Sequence, residues 1–161
     1  MDPIVIADAG PLIALASTGE LGLLRRLFGE VRVAQAVERE CSAKQGDDQA
    51  AITAAVAAGW LRVVAAAGCD ESVPMNLGTG EHESIRLALA QPDRSLVILD
   101  DRLARRYALR LGLNVVGTVR LLDLAERRGF LGSAELLIEQ MRQNGYRISP
   151  VLLRNLRADG G

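Results

Sequence analysis

Acidic residues placed directly after apolar runs are the feature of this sequence that most clearly indicates chemistry. The run PIVIA leads into Asp8, and the run LVIL leads into an adjacent pair of aspartates. Other acids open the helical pattern that follows GTG, or lie within the helical pattern after VRVA. The candidate residues are Asp8, Glu38, Glu40, Glu81, Glu83, Asp100 and Asp101. Carboxylates such as these can bind a divalent cation if the fold brings them together.

Each acid also has a purely structural explanation when it is considered alone. An aspartate before a helix can cap free N–H groups, and acids in a first helical turn interact favourably with the helix dipole. Five or six acids at one place are harder to explain in this way, because crowded carboxylates repel one another unless a cation lies between them. Hard oxygen ligands, with His82 as the one histidine, predict Mg²⁺ or Mn²⁺ and not zinc. Water bound to such an ion is more acidic and can attack a phosphodiester.

The order of predicted elements places several of these acids at one edge of a sheet. Strands are predicted at residues 3–8, 31–34, 60–64, 95–99 and 114–116. Helical patterns separate these strands. They cover residues 11–28, with a kink, and residues 47–58, 102–111, 119–128, 134–144 and 150–156, and two more begin at residues 36 and 80. This alternation indicates an α/β fold with a mostly parallel sheet and helices on both faces. Asp8 and the Asp100–Asp101 pair follow two strands, so they are expected at the same carboxyl edge.

Length, charge and cysteine content limit the class of protein. A chain of 161 residues fits one domain, and a net charge of −1 excludes a strongly basic, nucleic-acid-coating body. Cys41 and Cys69 have no metal-ligand spacing, which predicts free thiols and no disulfide framework. The apolar runs are too short to span a membrane and no leader opens the chain, so a cytoplasmic protein is expected.

Three segments together resemble the PIN-domain ribonucleases, close to the toxin branch (VapC-like) of toxin–antitoxin pairs. They are IVIADAGPLIAL, GTGEHESIRLALA and ILDDRLARRYALRLGLNVVGTVRLLDLAERRGFL, and the tail GYRISPVLLRNLRADG extends the resemblance to nearly the whole chain. The resemblance implies a three-layer PIN-like fold, as a single domain over residues 1–161 with a C-terminal helical extension from about residue 132. It also implies a Mg²⁺- or Mn²⁺-dependent endonuclease that cleaves single-stranded RNA and leaves 5′-phosphate and 3′-hydroxyl ends. An antitoxin partner and a dimer are implied as well.

The resemblance assigns the aspartates after the strands to metal binding. Asp8 matches the family's first acid, a metal ligand. Asp101 best matches the acid after the later strand, with Asp100 beside it, and one or both of them could face the metal. None of these acids needs to act as a nucleophile, because their main role would be to hold the ion.

The glutamates match the remaining acids of the family with an alternative at each place. Glu40 matches the acid after the second strand, and Glu38 is its competitor. Glu81 matches the acid that opens the central helix, where many members carry aspartate, and Glu83 is possible. The predicted catalytic set is therefore Asp8, Glu40, Glu81, Asp100 and Asp101, with the metal held by Asp8, Glu81, Asp100 and Asp101.

Arg102, Arg105 and Thr118 are candidate RNA contacts. The two arginines recur at helical spacing just after the acid pair, where they could form a basic face, although a solvated face or ion pairs explain them equally well. Thr118 could touch phosphate or metal-bound water, or simply cap a helix. His82 could act as a general base but is more simply an exposed residue of a first helical turn.

Two other functional classes compete with the ribonuclease. The acids could serve a catalytically silent module by binding the arginines of a protein partner. An aspartyl phosphatase is disfavoured because its Asp-x-Asp motif would follow the first strand, where this chain reads Asp8-Ala9-Gly10. Phosphate-binding glycine motifs are also missing after that strand, which disfavours nucleotide-cofactor folds.

Overall fold

Five strands alternate with eight helices in the computed structural model, which describes residues 2–43, 45–66, 72–149 and Arg154. The strands are β1 (Ile4–Ala7), β2 (Val31–Ala34), β3 (Leu61–Val64), β4 (Ser95–Ile98) and β5 (Asn114–Val116). The helices are α1 (Ala9–Ser17), α2 (Gly22–Phe28), α3 (Gln35–Ser42), α4 (Asp47–Ala57), α5 (Thr79–Leu89), α6 (Arg102–Arg110), α7 (Thr118–Arg127) and α8 (Ala134–Gln143). The predicted helix at residues 150–156 lies outside the described residues, apart from Arg154.

All five strands are parallel and form one sheet in the order β3-β2-β1-β4-β5. This confirms the predicted α/β fold class. The chain builds outward from β1 through β2 and β3, and then returns to the other side of β1 for β4 and β5. Ala7 pairs with Ile98, so β1 and β4 end side by side. In open sheets of this kind the crevice at such a reversal of strand order is where ligands bind.

Side chains of the central strands alternate between two cores because successive residues of a strand point to opposite faces. Val5 and Ala7 belong to the core that α1, α3, α7 and α8 cover. Ile4 and Ile6 belong to the other core, which is covered by α5 and α6. The sheet is therefore buried between helices on both faces, as the predicted three-layer architecture requires.

The helical pattern at residues 11–28 corresponds to two helices, as the predicted kink implied. Gly19, with φ of 74°, lies in the turn between α1 and α2. Helix α1 begins at Ala9, two residues before the predicted start at Pro11. The proline is tolerated in the first turn because an N–H at that place would have no intrahelical partner.

Helix α8 packs on the same core as the preceding elements, against α1 and α7. Ile138 and Met141 are buried there. Among the described helices, none combines the length and the apolar character that crossing a membrane demands.

Candidate active site

A cavity of about 310 Å³ opens at the carboxyl ends of β1 and β4. Its lining contains the carboxylates of Asp8, Glu40, Glu81, Asp100 and Asp101. A cavity of similar size, about 290 Å³, lies beside α2 and is lined by alanines, glycines, Leu21 and Trp60, with no ionisable side chain. The five carboxylates in its lining, and not its volume, therefore identify the first cavity, here called the acidic cavity, as the candidate site.

Asp8 is the most buried acid of the acidic cavity, with 5% of its surface exposed. Its Oδ1 is buried and has no hydrogen-bond partner among the described residues. Burial, and to a smaller degree the charges of other cavity acids, raises the pKa of Asp8 from 3.8 to about 7. These acids are Glu81, Glu40 and Asp100, in decreasing order of effect. A buried carboxylate among like charges is costly, and a bound cation would remove that cost.

Gly80, the second residue of α5, allows three segments of the chain to meet at the acidic cavity. A Cβ at this position would lie 3.2 Å from Oε2 of Glu40 and 3.4 Å from Oδ1 of Asp8. The two carboxylates therefore border the same small space, which any side chain would fill. The Glu81 carboxylate lies against the start of its own helix, where a Cβ at Gly78 would collide with it.

Asp100 is held by donors from two other segments of the chain. The backbone N–H of Thr118 donates to Oδ1 (2.8 Å), and the Thr118 hydroxyl donates to Oδ2 (2.5 Å). The hydroxyl of Tyr146 also donates to Oδ2. Burial, together with the charge of Asp100 and this hydrogen bond, raises the pKa of Tyr146 far above its ordinary value, so its hydroxyl stays a donor.

Asp101 has a different role from its neighbour. Its Oδ1 accepts from the backbone N–H of Ala104 (2.8 Å), so Asp101 is the N-cap of α6. The side chain also borders the acidic cavity, at its exposed side. The simple capping explanation thus applies to one aspartate of the pair, and Asp100 is the one that other residues orient.

The alternative glutamates are engaged outside the acidic cavity. Glu83 accepts from the backbone N–H of Ala36 (3.2 Å) and forms an ion pair with Arg39 (3.7 Å), which ties α5 to α3. Glu38 accepts a hydrogen bond from the Ser42 hydroxyl (2.9 Å). Neither residue borders the acidic cavity, whereas Glu40 and Glu81 do.

The candidate RNA contacts are placed differently from one another. Arg102 is exposed, and Arg105 is partly buried with its guanidinium against Gly117, close to Asp100. Thr118 is only 1% exposed, and its hydroxyl is directed at Asp100. We therefore expect Thr118 to orient Asp100 and not to contact RNA. His82 does not border the acidic cavity.

Tyr146 and Arg147 border the acidic cavity, and neither was among the candidate site residues of the sequence. Both follow α8 and reach the cavity only because α8 packs on α1 and α7. The one signal for them in the sequence is their place in the tail GYRIS, which belongs to the resemblance described above. Spacing along the chain carries no sign that this segment returns to β4.

The acids surround the cavity without converging on a point. In the described part of the chain, no group of three Asp, Glu, His or Cys side chains is arranged closely enough to hold a metal ion. The donor set nevertheless fits a hard divalent cation, because all five groups are carboxylates and Asp8 offers a buried oxygen without a hydrogen-bond partner among the described residues. For these acids to bind one ion together, the longer glutamate side chains would have to rotate.

The fold and the site define the class: an α/β protein with an acidic cavity where the strand order of a parallel sheet reverses. A family model described as a PIN domain matches residues 4–159. The chain therefore belongs to the PIN-domain family, whose members are generally nucleases that use divalent metals. A comparison with curated proteins gave no match.

Proposed function

We propose that this protein is an endoribonuclease that hydrolyses single-stranded RNA with Mg²⁺ or Mn²⁺. The observation that carries the proposal is the burial of Asp8 in a cavity with four other carboxylates, in a chain of a family whose members are generally nucleases. A lone acid at a strand end could be a helix cap. An acid whose pKa is raised by burial, and further by its acidic neighbours, is suited to a cation.

The cation would be held by Asp8, Glu81, Asp100 and Asp101, with Glu40 beside them. When bound, it would supply acidification of water and neutralisation of charge on the phosphodiester. The protein's own residues prepare the site. Asp8 must lose its proton to serve as a ligand, and Thr118 keeps Asp100 oriented. Arg105 and Arg147, near the cavity, would neutralise phosphates of the RNA.

We further propose that this ribonuclease is the toxin of a toxin–antitoxin pair and acts as a dimer. A cavity lined by five carboxylates suits a partner that inserts an arginine, on a helix or a tail, and so prevents metal binding. A short reading frame for a DNA-binding protein next to the gene, whose product binds this chain and stops cleavage, is the expected finding. A neighbour that leaves cleavage unchanged would contradict the pairing.

A catalytically silent binding module is the second candidate. The observation that favours it is the lack, among the described residues, of three acids arranged to hold one ion. In that case the acidic cavity would serve only the cations of a protein partner. This candidate predicts no RNA cleavage at millimolar metal and an undiminished affinity for the partner in Mg²⁺.

Cleavage of labelled single-stranded RNA by the full chain, with and without Mn²⁺, tests the proposed function. We expect the wild-type chain to cleave only with metal, and Asp8→Asn to abolish cleavage while the fold is retained. Glu38→Gln is the matched control, because Glu38 is an acid of α3 outside the acidic cavity. Cleavage by Asp8→Asn at the wild-type rate would refute the proposal.

A further inference from the structure

We propose that Tyr146 is a positioning residue of the acidic cavity, which fixes Asp100 through its hydroxyl so that Asp100 meets a divalent cation through Oδ1. This inference rests on the proposed metal-dependent function. It adds a residue of the C-terminal segment to a site that is otherwise built at the ends of β1 and β4 and on α3 and α5.

The segment that carries Tyr146 is anchored at several points. The Tyr146 backbone N–H donates to the carbonyl of Met141 (2.9 Å), which ends α8 in a tight turn. The side-chain amide of Asn144 donates to the backbone carbonyl of Ser17 on α1 (3.4 Å) and to the hydroxyl oxygen of the same residue (3.3 Å). The Tyr146 ring packs against the core. The hydroxyl is therefore placed by contacts to the body of the domain.

Hydrogen-bond capacity limits how Asp100 can approach an ion. A carboxylate offers about four lone-pair positions. Oδ2 accepts from the hydroxyls of Tyr146 and Thr118, and Oδ1 accepts from the Thr118 N–H. With both positions of Oδ2 occupied, one position on Oδ1 is left for a cation. Tyr146 thus selects a single oxygen of Asp100 and keeps the carboxylate from turning.

Tyr146→Phe is the direct test, because it removes the hydroxyl and retains the ring that packs on the core. Tyr107→Phe is the matched control, since Tyr107 lies on α6 beside Arg110 and is the other tyrosine of the chain. We expect Mn²⁺ to bind Tyr146→Phe about 10-fold more weakly than wild type in calorimetry, as for other residues that orient metal ligands. Tyr107→Phe should bind like wild type.

Metal affinity separates positioning from a merely structural role. If Tyr146 only anchors the C-terminal segment, Tyr146→Phe lowers the melting temperature of the metal-free protein and leaves Mn²⁺ affinity unchanged. That result overturns the inference and leaves the proposed function intact. A wild-type chain that binds no Mn²⁺ overturns both.

A measurement on the wild-type chain removes the dependence on how the variant folds. The chain has two tyrosines, so ¹³C-labelled tyrosine gives one set of ring signals for Tyr146 and one for Tyr107. Saturation with Mg²⁺ should shift the Tyr146 ring signals and leave those of Tyr107 in place. Binding of Mg²⁺ without any shift at Tyr146 would contradict the proposed contact.

Discussion

Thr118 donates two hydrogen bonds to Asp100, one from its backbone N–H to Oδ1 (2.8 Å) and one from its hydroxyl to Oδ2 (2.5 Å). Asp100 follows β4 and Thr118 opens α7 after β5, so this pair joins the ends of two neighbouring strands at the acidic cavity. The sequence suggested a helix cap or an RNA contact for Thr118. In the structure Thr118 is a buried hydrogen-bond partner of Asp100, a candidate metal ligand.

The Thr118 hydroxyl should matter more for activity than for folding. Thr118→Val removes the hydroxyl and keeps the N–H donor, so the free energy of unfolding should fall by about 1 kcal/mol. RNA cleavage should fall by about 10-fold or more, because Asp100 loses a restraint. Thr118→Ser retains the donor and should preserve most activity. Urea unfolding and cleavage rates measured on both variants check this. Equal cleavage by the Val and Ser variants would speak against a positioning role.

The stability of the metal-free protein should fall as the pH rises from about 4 to about 7. Asp8 has a pKa of about 7 in the folded chain and an ordinary value of 3.8, so the folded state binds this proton more tightly than the unfolded state. The full shift corresponds to about 4 kcal/mol for an isolated group. Urea unfolding in a chelator across this pH range measures the decline.

Asp8→Asn is the control for this pH dependence, since it cannot ionise. We expect it to flatten this part of the profile and to be more stable than wild type above pH 7 without metal. Saturating Mg²⁺ should restore the stability of the wild-type chain at high pH, because the ion binds the deprotonated carboxylate. Parallel profiles for wild type and Asp8→Asn would show that another group titrates.

Gly80→Ala should weaken metal binding. The added Cβ would lie 3.2 Å from Oε2 of Glu40, 3.3 Å from Cγ2 of the buried Val37 and 3.4 Å from Oδ1 of Asp8, so it would fill the space that the two carboxylates share. We expect about a 10-fold loss of Mn²⁺ affinity, comparable to the loss of a residue that orients metal ligands. Gly22→Ala is the matched control, because its Cβ would meet nothing within 4 Å at the start of α2. It should leave Mn²⁺ affinity unchanged, and a similar loss in both variants would refute the cavity argument.

Glu81 and Glu83 should respond oppositely to the same isosteric change. Glu81→Gln should abolish RNA cleavage, since Glu81 borders the acidic cavity. Glu83→Gln should retain cleavage, because an amide oxygen can still accept from the Ala36 N–H. Its loss of stability should stay below about 1 kcal/mol, as the partner Arg39 is largely exposed. Cleavage assays with circular dichroism compare the two, and the reverse result would make Glu83 the ligand.

The fold class and the position of the aspartates followed from local patterns. Short apolar runs alternate with helical periodicity, which requires a parallel sheet, and the carboxyl ends of parallel strands share one edge. Asp8 and Asp100 each follow such a run, so their placement at the same edge needed no knowledge of strand order. Pairing of Ala7 with Ile98 then brings them side by side.

The tertiary structure alone decided which acids face the cavity and what holds them. Glu38 and Glu40 lie on one helix, as do Glu81 and Glu83, and two residues of shift turn a helical side chain by more than half a turn. The rotation of each helix is set by packing on distant segments, which local sequence does not encode. Tyr146 reaches Asp100 across 46 positions of the chain for the same reason, because the docking of α8 on the core, and not any spacing, brings its hydroxyl to the site.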